Sequence, residues 1–164
     1  MMLKEGFQEL QNALLEAAAR HYGSGLVSLV IYGSAGRGTQ RPDSDLDFLV
    51  VAEDLPMGRL RRVAEFEEVE SDLLPLLDRL GEMGLRIELS PVFKTRQEVL
   101  RGSPLFLDLA DEAIILFDRD DFFLHVLNRL RDRLSMLGAR RVWRGNAWYW
   151  DLKPDLKPGE EFQL

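Results

Sequence analysis

The chain has no cysteine among its 164 residues, which excludes disulfides and thiolate metal centres. It also lacks any apolar run approaching the roughly 18 to 20 residues a membrane helix needs. Its first residues, Met1-Met2-Leu3-Lys4-Glu5, turn polar and amphipathic at once, which is not the pattern of a secretory signal. No membrane association is therefore expected, and a reducing cytoplasm is the expected location. Basic charge is in deficit: 21 Lys and Arg against 28 Asp and Glu give a formal net charge of -7. Direct binding to a nucleic-acid backbone, which needs a basic face, is not expected. Histidine is scarce, and both His21 and His125 fall on helical patterns far in sequence from any motif, so neither is expected to be catalytic.

Composition is otherwise that of a globular domain, 46% hydrophobic and 30% charged. One local exception to the acidic balance is Arg129, Arg131, Arg133, Arg140, Arg141 and Arg144. It reads either as a solvated helix face plus a loop or as a docking patch for an acidic partner or an RNA end. Internal repeats and a linker long enough to separate two domains are both missing.

Leu3, Phe7, Leu10, Leu14 and Ala17 recur at helical spacing, predicting a helix over 3–21 that ends near Gly23 and Gly25. Buried strands are predicted at about 26–32 and 45–52. Residues 59–81 carry a helical stripe interrupted by Pro75, so either one helix kinks or a second begins near Ser71. Strict alternation in Leu85-Arg86-Ile87-Glu88-Leu89-Ser90 predicts a strand. Thr95 with Glu98 predicts a capping box, Pro104-Leu105 opens a short helix, and Ala113–Phe117 reads as a strand. A further helix is predicted from Phe122 to Gly138. After Gly145 the sequence changes to Trp148-Tyr149-Trp150 and a proline-bearing stretch, predicting an extended tail that packs its aromatics on the domain or on a partner. The expected division is a domain over 1–145 and a tail over 146–164.

Two features carry chemistry. Asp45 and Asp47, two apart on a strand, project from one face, about 6.6 to 6.8 Å apart along the chain. Hard carboxylates at that spacing suit a pair of Mg²⁺ ions, which lie about 3.5 to 4 Å apart in two-metal sites. Glu88, on a neighbouring strand, can complete a three-carboxylate cluster. A pair this short also fits a polar strand edge, and Glu88 alone fits a solvent-facing strand residue. The second feature is the turn Gly33-Ser34-Ala35-Gly36-Arg37-Gly38, whose glycines let backbone N–H groups approach phosphate and whose Arg37 offers a fork for it. Turn and carboxylates together can hold a nucleoside triphosphate through divalent metal.

Gly33-Ser34, ten residues, then Asp45-Leu46-Asp47 resembles the signature of the polymerase-β-like nucleotidyltransferase superfamily. The surrounding words, from Tyr32 to Gly38 and from Ser44 to Val51, resemble its small, minimal members. The resemblance is specific over about residues 26–52 and looser to residue 93. It implies an α+β polymerase-β-like fold with a mixed twisted sheet and helices packed on one side. It implies transfer of a nucleoside monophosphate, AMP from ATP, to an acceptor hydroxyl with release of pyrophosphate. Asp45, Asp47 and Glu88 are then the catalytic metal ligands for two Mg²⁺, and Gly33, Ser34 and Arg37 bind the nucleotide. The family's third acid is usually aspartate, so Glu88 departs in residue type.

The acceptor is bound by a partner, by a second copy in a homo-oligomer, or is itself the partner. Small stand-alone members resemble the antitoxin half of two-component systems, which implies a HEPN toxin protein as partner and acceptor. A small-molecule nucleotidyltransferase acting on an aminoglycoside-like substrate, and a catalytically silent protein-binding module, remain alternatives.

Overall fold

Leu26–Tyr32, bounded by glycines and rich in branched aliphatic residues, forms β1 at the interior of the sheet. The structure, a computed structural model, describes residues 2–164. β1 pairs antiparallel with β2, Leu46–Ala52, and on its other edge with β4, Ile114–Asp118. β3, Leu89–Lys94, runs parallel to β2, so the order is β3-β2-β1-β4 and the sheet is mixed, as expected. Among the described residues no helix is long and apolar enough to cross a membrane.

The sheet is covered on both faces, which corrects the expectation of helices on one side. On one face Leu29, Ile31, Phe48 and Val50 pack against Phe7, Leu10 and Leu14 of α1, Met2–Tyr22, and Phe66, Val69 and Leu73 of α3, Arg59–Glu82. On the other, Val30, Leu49 and Val51 meet Val99 of α4, Arg96–Arg101, Phe106 and Leu109 of α5, Leu105–Glu112, and Phe123 and Leu127 of α6, Phe122–Leu137. The reason lies in the strands themselves. β1 and β2 are apolar at almost every position rather than alternately, and such runs stay dry only between two helical layers.

Several expectations hold closely. Gly138 caps α6 in the left-handed region, and Thr95 with Glu98 forms both bonds of the capping box. Of the two readings at Pro75, the single helix is correct: α3 runs unbroken through it.

The strand expected at 85–90 is displaced. Leu85 and Ile87 are buried and Arg86 and Glu88 exposed, so the alternation is real, but the ladder begins only at Leu46↔Leu89. Before that point the segment is held by Arg86 N–H to Pro42 O and by Leu46 N–H to Glu88 O. Pro91, opposite Phe48, is tolerated because β3 is an edge strand.

The C-terminal region also differs. β5, Arg140–Arg144, and β6, Ala147–Asp151, make an antiparallel hairpin apart from the main sheet. The division expected at residue 145 falls in its turn, where Gly145 adopts φ 62°, and the irregular tail begins only after Asp151.

Arg62 ties the first turn of α3 to the far edge. Its buried guanidinium donates to Pro56 O and Phe93 O and forks onto both oxygens of Glu98, at 2.7 and 3.0 Å. The Arg62 fork, helped by the Thr95 N–H, lowers the Glu98 carboxyl from 4.5 to about 2. A depressed carboxyl contributes stability that is complete above its ordinary value and lost as pH falls through the depressed one. Glu98→Ala removes the cap and strands Arg62, and should cost about 2–3 kcal/mol in urea unfolding at pH 7. The difference from the parent should shrink between pH 4.5 and about 2.

Candidate active site

Where β1 ends at Tyr32 the chain turns at Gly33 into a short helix, α2, Gly33–Arg37. The turn is built for close approach. Gly33 has φ 66°, and a Cβ there would lie 2.2 Å from Asp47 Oδ2, so only glycine lets the backbone rest against that carboxylate. A Cβ on Gly36 would fall 2.3 Å from the carbonyl of Glu112, so its bareness is what lets α2 press on the end of α5. The glycines that suggested room for phosphate thus also bring three elements together.

The turn opens on a cleft of about 330 Å³. Tyr32, Gly33, Ser34 and Arg37 form one side of it, Ser44, Asp45 and Asp47 another, and Asp108, Glu112 and Trp148 the third. Asp47 stands opposite Tyr32 in the β1–β2 ladder. Burial raises the Asp47 carboxyl above its ordinary 3.8; a hydrogen bond from Ser90 opposes this, Asp45 raises it further, Arg37 lowers it and Glu112 raises it again. The same burial, with Asp47 and Glu112 nearby, pushes the Tyr32 phenol up to about 12, so it stays neutral at physiological pH.

Of the residues singled out from the sequence, Gly33, Ser34, Arg37, Asp45 and Asp47 come together in this cleft. Glu88 does not line it. It sits exposed one residue ahead of β3, beside the start of β2 through its carbonyl, and two residues before Ser90, the hydrogen-bond partner of Asp47. Among the described residues no three acidic or histidine side chains converge closely enough to form a metal cage by themselves.

Two acids of the cleft, Asp108 and Glu112, were not read as site residues from the sequence. Glu112, the last of α5, has a side chain only 4% exposed and accepts from Gly33 N–H at 3.1 Å and from Arg37 Nη1 at 2.9 Å. Asp108 accepts from the indole N–H groups of Trp148 and Trp150, at 3.0 and 3.1 Å, and from Arg141 Nη2 at 3.3 Å. Their i, i+4 spacing, which puts both on one helix face, was the signal available in the sequence. Arg141 itself fits neither reading of the arginine cluster: it is half-buried between the hairpin and α5, with Glu112 at 3.6 Å.

A nucleotidyltransferase domain profile matches residues 12–101, more than half of the chain, and includes the turn and both aspartates. This chain belongs to the nucleotidyltransferase domain family. A Methanocaldococcus jannaschii relative named "Putative protein adenylyltransferase MJ1305" is 29% identical over 136 residues, covering 82% of this chain and 87% of that protein. Spectinomycin adenyltransferase AAD(9) from Enterococcus faecialis, solved with ATP and spectinomycin, shares the fold at a TM-score of 0.54 and 15% identity, over 79% of this chain and 66% of that one. A toxin–antitoxin structure with AMP-PNP aligns at a TM-score of 0.45 and 18% identity, over 77% of this chain and 91% of that one.

In this nucleotidyltransferase domain, ionised Asp47 works against folding. A raised carboxyl contributes stability below its ordinary value that is lost as pH rises through the raised one. Asp47→Asn should therefore melt higher than the parent at pH 7 in chelator, and the gap should close as both are taken below pH 3.8. A variant that melts lower at pH 7 would show that Asp47 supports the apo fold instead.

Proposed function

We propose that the chain transfers AMP from ATP to a hydroxyl of a protein acceptor, using Mg²⁺ held by Asp45 and Asp47. The observation that carries this reading is the meeting of two adjacent carboxylates with the Gly33-Ser34 turn in one open cleft. The donor set suits Mg²⁺, which is commonly bound by one or two carboxylates together with substrate phosphates rather than by a complete protein cage. Asp45, Asp47, Asp108 and Glu112 face the cleft with Arg37 as the cation among its lining residues, an imbalance that favours a divalent ion there.

In the reaction the acceptor hydroxyl gives its proton to water as its oxygen attacks the α-phosphorus, the bond to the bridging oxygen of the β-phosphate breaks, and pyrophosphate leaves with that electron pair. Bound Mg²⁺ would lower the pKa of the acceptor hydroxyl and neutralise charge on the leaving group. The chain's own residues do the rest. Asp45 and Asp47 would hold the metal; Glu88, whose carbonyl accepts the Leu46 N–H just ahead of β3 and whose side chain does not line the cleft, is the candidate third ligand. Ser34 and the open edge of Arg37 grip the β- and γ-phosphates. Gly33 contributes shape, because its own N–H is taken by Glu112.

A protein acceptor is supported by the relative named as a protein adenylyltransferase. Within the motif's resemblance to small stand-alone members, the acceptor is a HEPN toxin and the chain its antitoxin, acting in the cytoplasm where ATP is supplied. The acid-lined cleft also suits a cationic aminoglycoside-like acceptor, which is the second reading.

Incubation with Mg²⁺ and α-labelled ATP should label a cognate toxin and leave spectinomycin unlabelled; label on the drug alone overturns the protein-acceptor reading. Asp45→Asn and Asp47→Asn should each lower transfer by about 100-fold or more, and Glu88→Gln by about tenfold. Toxin neutralisation that survives the double aspartate change at full strength would make the chain a contact inhibitor.

A further inference from the structure

The profile match ends at residue 101, yet the cleft has a wall beyond it. Trp148, on β6 of the C-terminal hairpin, lines the same cleft as Ser34, Asp45 and Asp47. Arg37 lies over its ring, 4.9 Å from the centroid, and Arg141 lies at the same distance. The Trp148 N–H is fixed on Asp108, and Arg141, its side chain only 10% exposed, is braced by Asp108 and Glu112. The indole is thus a spacer gripped on several sides, with Trp143 also packed 4.9 Å away.

What Trp148 holds is the residue that matters for phosphate. Arg37 gives one nitrogen, Nη1, to Glu112. Among the described residues its Nε and Nη2 make no hydrogen bond to the protein, and they belong to a side chain on the cleft wall. A guanidinium carries five N–H donors in a rigid fork, so one edge can be anchored while the other stays available to an oxyanion. Glu112 fixes that anchored edge and Trp148 covers the face.

We propose that Trp148 is a positioning residue for nucleotide binding: acting through Arg37, the C-terminal hairpin holds the guanidinium ready for the triphosphate. An arginine left free would lose its rotamer freedom on meeting phosphate, and holding it in advance is worth about tenfold in affinity. The hairpin is then part of the nucleotide site rather than an appendage to it. This rests on the reading of the cleft as an ATP site.

The test is a double-mutant cycle on the full chain, read by calorimetric titration with ATP and Mg²⁺. Trp148→Ala should weaken ATP binding about tenfold, and raise KM for ATP by the same factor with kcat changed less than about twofold. Trp148→Phe, which keeps a ring for the guanidinium but drops the bond to Asp108, should recover most of the loss. Arg37→Ala should also weaken binding, and adding Trp148→Ala to it should cost less than about twofold more. Trp150→Ala is the control for hairpin stability: it loses the same Asp108 acceptor, but Trp150 does not line the cleft.

Additive losses in the double variant, or an equal loss in Trp150→Ala, overturn the proposal. A parent that binds ATP but transfers nothing defeats the transferase reading and leaves these affinity comparisons decisive. A parent with no ATP affinity overturns both.

Discussion

A buried carboxylate that needs three partners organises the whole site. Glu112 ends α5 inside the protein, where an ion left unpaired would cost several kcal/mol. Its oxygens are met by a main-chain N–H of the β1–α2 turn and by Arg37, with Arg141 of the hairpin close by. Satisfying this one group therefore fixes the turn against α5 and leaves the hairpin packed over both. The bareness of Gly36 is part of the same constraint, since any side chain there would drive α2 off the Glu112 carbonyl.

The cluster is costly to keep. Asp45, Asp47, Asp108 and Glu112 share a cleft in which burial already disfavours the charged form of Asp47. The compensation comes from elsewhere, from β1 and β2 buried on both faces by separate helical layers. A sheet dry on both sides gives the ends of its strands little freedom to relax. The carboxylates at the start of β2 are accordingly held against each other and against the turn, an arrangement that a cation relieves and that an apo protein must endure.

What the sequence discloses and what it hides follow the range of the interactions. The strand–turn–strand unit from Leu26 to Ala52, the Thr95–Glu98 box and the Gly138 stop are written in neighbouring residues, and they stand as read. β3 is misplaced by four residues at its start because alternation marks an extended segment but not where a partner begins to pair with it. Glu88 illustrates the consequence. Its exposed parity is legible, whereas its position outside the cleft depends on a register set by β2. The hairpin is hidden for another reason. Arg141, Trp143, Trp148 and Trp150 lie on one face across the pairing, so their pattern is visible only once the turn at Gly145 folds them together. Glu112 shares a helix face with Asp108, but that spacing does not tell a surface acid from a buried one until Gly33 and Arg37, some 79 and 75 positions away, are brought to it.

This division of range separates two kinds of function in the chain. The groups proposed to do chemistry, Asp45 and Asp47, lie within one short stretch, Asp47 on β2 and Asp45 one residue ahead of it. The third side of the cleft, Asp108, Glu112 and Trp148, comes from α5 and the hairpin, beyond the stretch that the domain profile matches. Changes in that later segment can alter what lies beside the phosphate turn without disturbing the paired carboxylates. Trp143, 52% exposed, packs against Trp148 on the same hairpin face. Carboxylate and wall are set by different pairings, Asp47 by the β1–β2 ladder and Trp148 by the β5–β6 hairpin, so the two do not depend on the same contacts.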